Sequence, residues 1–314
     1  MIKNKNIKYF WYGILASILG SINAPIIKYV TQYISPAAFN TLRFTLTALI
    51  TLPFFLIYIK KITKKNLRFA ILSGFFLSIS TLTFAMAVNS STASYITLLT
   101  LLEPVLLVIS SVVLTKERVN MRHLSNFSLA GLGALIIVSA PLIAIGSHNI
   151  DFYPKATVLA LIMIVCYPLC VIYAKKSNES RKKLPFISII FVQSIVTIIL
   201  NLFVTLVFGN SEFSKLNQAG LNILLPIVYS GIFVSMINRA LNVISYQKIG
   251  SAINGAIWYF GNLLTLVISV IFLKESISIV ALIGGCLILL AVTSINRSLA
   301  KDTLTKIKKK TYQI

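Results

Sequence analysis

The chain has 314 residues, of which 57% are hydrophobic and 11% are charged, and its formal net charge is +22. A soluble domain of this length needs far more charge to cover its surface, so this class is excluded. Nucleic-acid binding is excluded as well, because the lysines and arginines cluster between apolar runs and are not interleaved with stacking aromatic residues.

Apolar runs of about 20 residues, the length that a membrane-spanning helix needs, recur along the whole chain. The first run is too long for a signal-peptide core and no clear small-x-small cleavage site follows it, so we interpret it as the first span. The sequence predicts ten spans, at Tyr9–Val30, Ala37–Ile59, Arg68–Val88, Ser91–Leu114, Leu124–Ile145, Lys155–Ala174, Pro185–Phe208, Leu221–Ile244, Gly250–Leu273 and Ile277–Asn296.

The two halves of the chain contain an internal repeat. Thr92-Ala93-Ser94 leads through one span to Leu114-Thr115-Lys116-Glu117, and Gly250-Ser251-Ala252 leads through another to Phe272-Leu273-Lys274-Glu275, 158 residues later at both ends. Five spans is an odd number, so the second copy must run inverted in the membrane, an arrangement typical of secondary transporters. The predicted fold is therefore an all-α polytopic membrane protein with ten transmembrane helices in two inverted five-helix repeats.

The break rich in polar residues at Gly146–Pro154 divides the chain into a first five-helix repeat at 1–148 and a second at 149–314, which ends in a basic tail. Most of the 29 lysines and arginines fall on the side of the two termini. The opposite side holds only Lys28, Lys155, Lys215 and Lys274. The positive-inside rule then places both termini in the cytoplasm. We expect a bacterial inner (cytoplasmic) membrane.

Short motifs recur in a fixed order along the chain. The first repeat carries Ser21-Ile22-Asn23-Ala24-Pro25, Ser35-Pro36 followed by Arg43-Phe44, Glu103-Pro104-Val105 and Thr115-Lys116-Glu117-Arg118, and the second carries Gly250-Ser251-Ala252 and Leu273-Lys274-Glu275. In this order, spacing and duplication the chain resembles the drug/metabolite transporter (DMT) superfamily, EamA-type. The resemblance covers nearly the whole chain and implies transport without specifying the solute.

One departure from the family pattern concerns symmetry. The second repeat has Gly261-Asn262 where the first has Glu103-Pro104, so the second-half proline of the family is missing. The two halves therefore need not bend alike.

Glu103 is the first candidate for function, because a carboxylate near the bilayer midplane is costly and marks a site by default. It could exchange a proton, pair with Arg43 or Arg239, or make a fixed structural contact. The adjacent Pro104 removes a backbone hydrogen bond and is either a hinge or a static kink. Arg43 and Arg239 either contact an anionic group of the substrate or extend toward the membrane surface.

Further candidates for the substrate or proton pathway are Asn23, Asn242, Asn262, Tyr95, Trp258 and Tyr259. The amides either contact substrate or bond across helices, as polar groups in lipid usually do. The aromatic residues either line a cavity for flat solutes or pack between helices. We expect Glu117 and Glu275 to be structural, and the glycines at 131–133 and 284–285 to allow close helix approach.

No enzyme, metal site or cofactor is predicted, because the only histidines, His123 and His148, lie in loops on opposite sides and no phosphate-binding loop occurs. The leading hypothesis is a proton-coupled secondary transporter that exports amino acids, metabolites or drug-like compounds by alternating access. The alternatives are an exchanger of anionic metabolites such as nucleotide sugars or sugar phosphates, and a lipid flippase or non-transporting scaffold. The expected partners are a small-molecule substrate and the lipid bilayer, with no nucleic acid; a homodimer is compatible with the sequence.

Overall fold

The computed structural model describes residues 7–115, 129, 132–133, 135–137, 153–178, 186–208, 220–275, 277, 279–280 and 282–290. The helices are Ile7–Ser21 (α1), Asn23–Val30 (α2), Pro36–Tyr58 (α3), Lys64–Asn89 (α4), Ala93–Thr100 (α5), Glu103–Thr115 (α6), Pro154–Asn178 (α7), Phe186–Phe208 (α8), Leu221–Tyr229 (α9) and Arg239–Leu273 (α10), with a π-helical segment at Ser230–Asn238 between the last two. All regular structure in these residues is helical.

Seven helical stretches within the described residues are long and apolar enough to cross a membrane, and Ile257–Leu273 is a shorter apolar helix. Large apolar side chains such as Val113, Leu225 and Phe272 point outward, while polar ones such as Asn40 and Asn201 are fully buried. Apolar side chains on the outside and polar side chains inside are expected of a protein embedded in lipid. Most of the predicted fifth span and the last six residues of the tenth lie outside the described residues, so the total of ten spans stays a prediction.

Side-chain caps and prolines define where several helices begin. Pro36 occupies the first turn of α3, and the hydroxyl of Ser35 accepts a hydrogen bond from the backbone N–H of Ala38 at 3.2 Å. Thr63 and Thr92 cap α4 and α5 in the same way. Each hydroxyl satisfies a backbone donor that the helix itself leaves unpaired.

Helix α10 changes direction sharply along its length, although its residues form one continuous run of helical structure. The side-chain oxygen of Asn242 accepts hydrogen bonds from Asn254 at 3.0 Å and from Trp258 at 2.7 Å. Sixteen residues of a straight helix rise about 24 Å, so the chain must fold back between Asn242 and Asn254. This turn separates the predicted eighth and ninth spans, whose junction lies at residues 245–249 of the sequence prediction.

Contacts between the two halves follow the symmetry that an inverted repeat requires. The repeat relates the first span to the sixth and the third to the eighth, and the extensive packing of α4 on α7 has its counterpart in the packing of α1 on the π segment and α10. Tyr259 donates a hydrogen bond to the carbonyl oxygen of Leu101 at 2.9 Å, and these two residues are 158 positions apart. Repeat-related positions meet in this way only near an axis of pseudosymmetry.

The described parts of the fifth and tenth spans cross at two glycines. A Cβ atom on Gly133 would lie 2.6 Å from the carbonyl oxygen of Gly284, and a Cβ on Gly284 would lie 2.6 Å from that of Gly133. Only glycine permits this approach, which confirms the close packing predicted for the glycine positions.

Candidate functional site

A central cavity of about 190 Å³ lies among helices from both halves of the chain. Its lining includes seven of the predicted site residues, namely Asn23, Arg43, Glu103, Arg239, Asn242, Trp258 and Asn262. Glu103 is about ten residues beyond the start of α5, roughly 15 Å along the helix axis, which is half of a hydrocarbon core about 30 Å thick. The cavity therefore lies near the midplane of the predicted membrane.

Glu103 lies immediately after an interruption in the fourth span. The backbone N–H groups of Leu101 and Leu102 bond to carbonyl oxygens three residues earlier, at 3.2 and 3.0 Å, so the helix tightens and ends. The next helix begins at Glu103, and Pro104 in its first turn has no N–H to donate to the preceding half-helix. The interruption is compatible with both alternatives for Pro104, a hinge and a static kink.

The carboxyl group of Glu103 forms no hydrogen bond or ion pair within the described part of the chain, although the residue lines the cavity. Neither pairing with Arg43 nor pairing with Arg239 is present in this conformation. A carboxyl group at this depth without a protein partner is available to a proton or to a cationic group of a ligand.

Arg43 is only 2% exposed and is held by neutral groups. One guanidinium nitrogen donates to Asn23 at 3.2 Å and to Ser230 at 3.3 Å. The rings of Phe39 and Phe44 each lie 5.0 Å from the guanidinium carbon, a cation–π arrangement. Its Nε has no partner among the described residues.

Arg239 is 9% exposed and is positioned by a polar chain of hydrogen bonds. It donates to the amide oxygen of Gln193 at 3.0 Å and to the sulfur of Cys170 at 3.3 Å. Gln193 is fixed in turn by its bond to Ser73 at 2.5 Å. The Nε of Arg239 is also without a partner in the described part of the chain.

The side chains of Arg43 and Arg239 line the same cavity, so two positive charges face one small space. Among the described residues that line the cavity, Glu103 is the sole acidic one and Arg43 and Arg239 are the basic ones, so this lining keeps an excess of positive charge even when Glu103 is ionised. A buried charge without a counter-charge is costly, so an anionic ligand group would be favoured there.

The aromatic side of the cavity is organised by Asn242. The side-chain oxygen of Asn242 accepts a hydrogen bond from the indole N–H of Trp258, which fixes the plane of the indole ring. The ring of Tyr167 lies 5.4 Å from that of Trp258. Phe84 and Phe44 also line the cavity. These rings offer flat apolar surface next to the charged groups. The side-chain nitrogen of Asn262 is buried without a partner among the described residues.

Three predicted residues are not part of the lining. The hydroxyl of Tyr95 is bonded to that of Thr157 at 2.8 Å, and Tyr259 is bonded to Leu101. Both tyrosines connect the half-helix α5 to the second repeat. Pro104 acts on the backbone and is also absent from the lining, although its Cβ lies near Gly255.

Sequence reasoning missed several lining residues, among them Ser80, Thr81, Phe84, Thr97, Thr100 and Tyr167. The hydroxyl residues carry no distinguishing signal, because serine and threonine in spans usually bond within or between helices. Tyr167 stands next to Pro168 in the predicted sixth span, but the sequence does not separate a tyrosine that lines a cavity from one packed between helices.

Three comparisons with known proteins bear on this arrangement. The sequence profile of the EamA-like transporter family matches residues 7–139 and again residues 154–297. A solved crystal structure, described without a function, superposes with a TM-score of 0.63 at 17% identity and covers 94% of this chain and 98% of its own; it supports the fold alone. No curated protein sequence matches the chain.

Proposed function

The chain belongs to the EamA-like transporter family, and from that premise we propose that it exports small organic solutes by alternating access, with Glu103 exchanging a proton for the solute. The family consists of membrane transporters of the drug/metabolite type, not of enzymes. The solute class, the proton coupling and the direction of transport are the proposed part.

The observation that carries the proposal is the unpartnered carboxyl group of Glu103 in a cavity lined by both repeats. Alternating access requires a central site at the interface between two repeats that move relative to each other. A proton and an amino group of a solute would compete for the carboxylate of Glu103, and this competition couples inward proton flow to solute export. The positive charge of Arg43 and Arg239 would suit an anionic group on the same solute, such as the carboxylate of an amino acid. The interruption before Glu103 supplies flexibility next to the binding group.

The test uses the full chain reconstituted into liposomes with an imposed pH gradient. Amino acids, cationic drugs and nucleotide sugars are offered separately, and radiolabelled flux is measured with and without the gradient. The proposal predicts gradient-dependent flux of at least one class. Absence of flux for every class would contradict it and would favour the flippase or the scaffold.

A second candidate, an exchanger of anionic metabolites, is favoured by the positions of Arg43 and Arg239. Both guanidinium groups are buried at the cavity without a carboxylate partner among the described residues. The described residues of the lining include no lysine, although a strongly anionic substrate would suit additional positive charge. Because two arginines alone supply little charge for a strongly anionic substrate, export of small organic solutes stays the leading proposal.

Arginine substitutions distinguish the two candidates. Exchange of Arg239→Gln removes one positive charge, and an anion exchanger should lose about tenfold or more of its counterflow activity because a charge-assisted bond to the anion is lost. Counterflow of labelled solute against unlabelled solute, without a pH gradient, measures this activity. Near-normal counterflow of anions by the variant would exclude the exchanger.

A further inference from the structure

The short turn that joins α4 to α5 is held by two charged residues that come from distant parts of the chain. The carboxylate of Glu275 accepts a hydrogen bond from the backbone N–H of Ala93 at 2.8 Å and a second from Ser94 at 2.7 Å. The hydroxyl of Thr92 accepts from the N–H of Tyr95 at 3.2 Å. The first three backbone N–H groups of α5 therefore all have hydrogen-bond acceptors. Two of them bond to a carboxylate, whose negative charge is favourable at the N-terminus of a helix.

Lys28 completes this cluster from the first span. Its ammonium group donates to the carbonyl oxygens of Val88 at 3.2 Å, Asn89 at 3.4 Å and Ser91 at 2.5 Å. These carbonyls lie at the negative end of α4, where a cation is favourable. Lys28 and Glu275 also attract each other electrostatically. One cation and one anion therefore clamp the two helix ends that meet at residues 90–92.

The backbone just before Glu275 is shaped for this contact. Lys274 ends α10 in the left-handed conformation, with a φ of 52°, the one positive φ of a non-glycine residue in the described part of the chain. A side chain in that conformation carries a strain of about 1–3 kcal/mol. The turn redirects the chain so that Glu275 can reach the start of α5.

An apolar layer lies under the clamp. Ile96 and Leu99 of α5 are fully buried in one cluster, and Leu273 and Ile277 from the second repeat pack against it. This layer provides dry packing between the clamp and the central cavity. Apolar side chains from both repeats therefore pack beneath the clamp.

The clamped half-helix leads directly to the cavity. It spans eight residues from Ala93 to Thr100 and is followed by the interruption and by Glu103. Glu275 holds its first turn, and Tyr259 holds the carbonyl oxygen of Leu101 at its other end. Both holding residues belong to the second repeat, so movement between the repeats must act on this segment.

We infer that Glu275 forms a latch between the repeats that holds this end of the bundle closed, that Lys28 supports it by fixing the adjoining end of α4, and that release of Glu275 opens the cavity to the same side. The inference rests on the proposed alternating access, because a bond between the repeats at a membrane surface must break when that surface opens. The bonds are charge-assisted and partly buried, so water can replace them on opening. The released half-helix would move together with the backbone that precedes Glu103.

Cysteine accessibility tests the latch without any transported solute. The three native cysteines are replaced by alanine, and Thr81→Cys places one reporter thiol in the cavity lining. A membrane-impermeant methanethiosulfonate is applied to intact cells and to inside-out vesicles, which expose opposite ends of the protein. Glu275→Gln should raise the labelling rate from the latch side about fivefold or more and lower it from the other side, because the population shifts toward the conformation open on that side.

Lys28→Met should have the same sign and a smaller effect, about twofold, because the carboxylate caps remain. Lys155→Gln, which removes an exposed positive charge at the same end outside the clamp, serves as the matched control and should leave both rates unchanged. Unchanged labelling in Glu275→Gln, or faster labelling from both sides with a lower unfolding temperature, would show a static brace and overturn the inference. If Glu275→Gln still transported solute and its labelling rates did not shift, the latch would be wrong and the proposed function would stand. If the labelling rates shifted but no solute were transported, the latch would stand and the proposed solute classes would be wrong.

Discussion

The fourth and ninth spans occupy equivalent places in the two repeats, yet only one of them is interrupted. The fourth span divides at Leu101-Leu102 into two half-helices, whereas α10 remains helical through Gly261-Asn262. Discontinuous helices in transporters expose backbone and side-chain groups at the midplane and bend during transport. The comparison places the interrupted helix and the carboxylate in the first repeat, and an uninterrupted stretch of helix at the equivalent place in the second.

Packing explains why the second repeat has no carboxylate at this place. A Cβ atom on Gly261, the counterpart of Glu103, would lie 3.0 Å from the Cβ of Ser17 in α1. The close approach of α1 therefore requires a very small residue there. One residue later, Asn262 takes the place of Pro104 and keeps the backbone hydrogen bond that a proline would remove.

The largest effect on this comparison should come from exchanging the proline between the repeats. Asn262→Pro should interrupt α10 beside the cavity and lower stability by about 3 kcal/mol, with loss of most of the flux. Pro104→Ala should restore a continuous fourth span, raise the unfolding temperature and slow transport several-fold, because the hinge is lost. Thermal unfolding in detergent and initial flux rates in liposomes measure both.

The two proline variants must differ in the sign of their stability change. If Pro104→Ala kept the wild-type transport rate while gaining stability, the interruption would be a static kink. If Asn262→Pro transported normally, transport would not depend on the uninterrupted stretch of α10.

The smallest effect concerns the hydrogen bond at the interruption. Tyr259→Phe removes the bond to the carbonyl oxygen of Leu101 and should lower stability by about 1 kcal/mol. Flux should change about twofold, because the half-helix is freed at the end next to Glu103. Tyr95→Phe is the matched control, since it removes the bond to Thr157 from the same half-helix without touching the interruption.

Comparison of the two tyrosine variants separates stability from mechanism. Both should lose similar stability, and only Tyr259→Phe should alter flux. An equal effect of both variants on flux would show that the half-helix responds as a whole.

Much of the fold was predictable from apolar runs and charge. The predicted spans Ala37–Ile59, Arg68–Val88, Lys155–Ala174 and Pro185–Phe208 agree with α3, α4, α7 and α8 within a few residues. Hydropathy determines such spans because the bilayer sets their length. The division between α1 and α2 at Ile22 was not predicted, since it depends on local packing that no apolar pattern records.

The residues that line the cavity could be predicted only in part from the sequence, and their roles stay predictions. A midplane carboxylate and two arginines within spans are rare enough to mark a cavity, and all three line it. Tyr95 and Tyr259 lie outside the lining. The internal repeat shows that their helices occupy equivalent places, but it does not show which face of each helix points toward the cavity. The support of Arg239 by Gln193 joins residues that are 46 positions apart, and a single sequence contains no signal for this contact.

The central claim is that the carboxyl group of Glu103 couples proton movement to solute movement. It is tested most directly by following the internal pH of liposomes that contain the wild-type chain or Glu103→Gln, while a transported solute is added. The account predicts a solute-dependent pH change for the wild-type chain and its loss, by about tenfold or more, in the variant, because glutamine cannot exchange a proton. A wild-type pH response in the Glu103→Gln variant would contradict it.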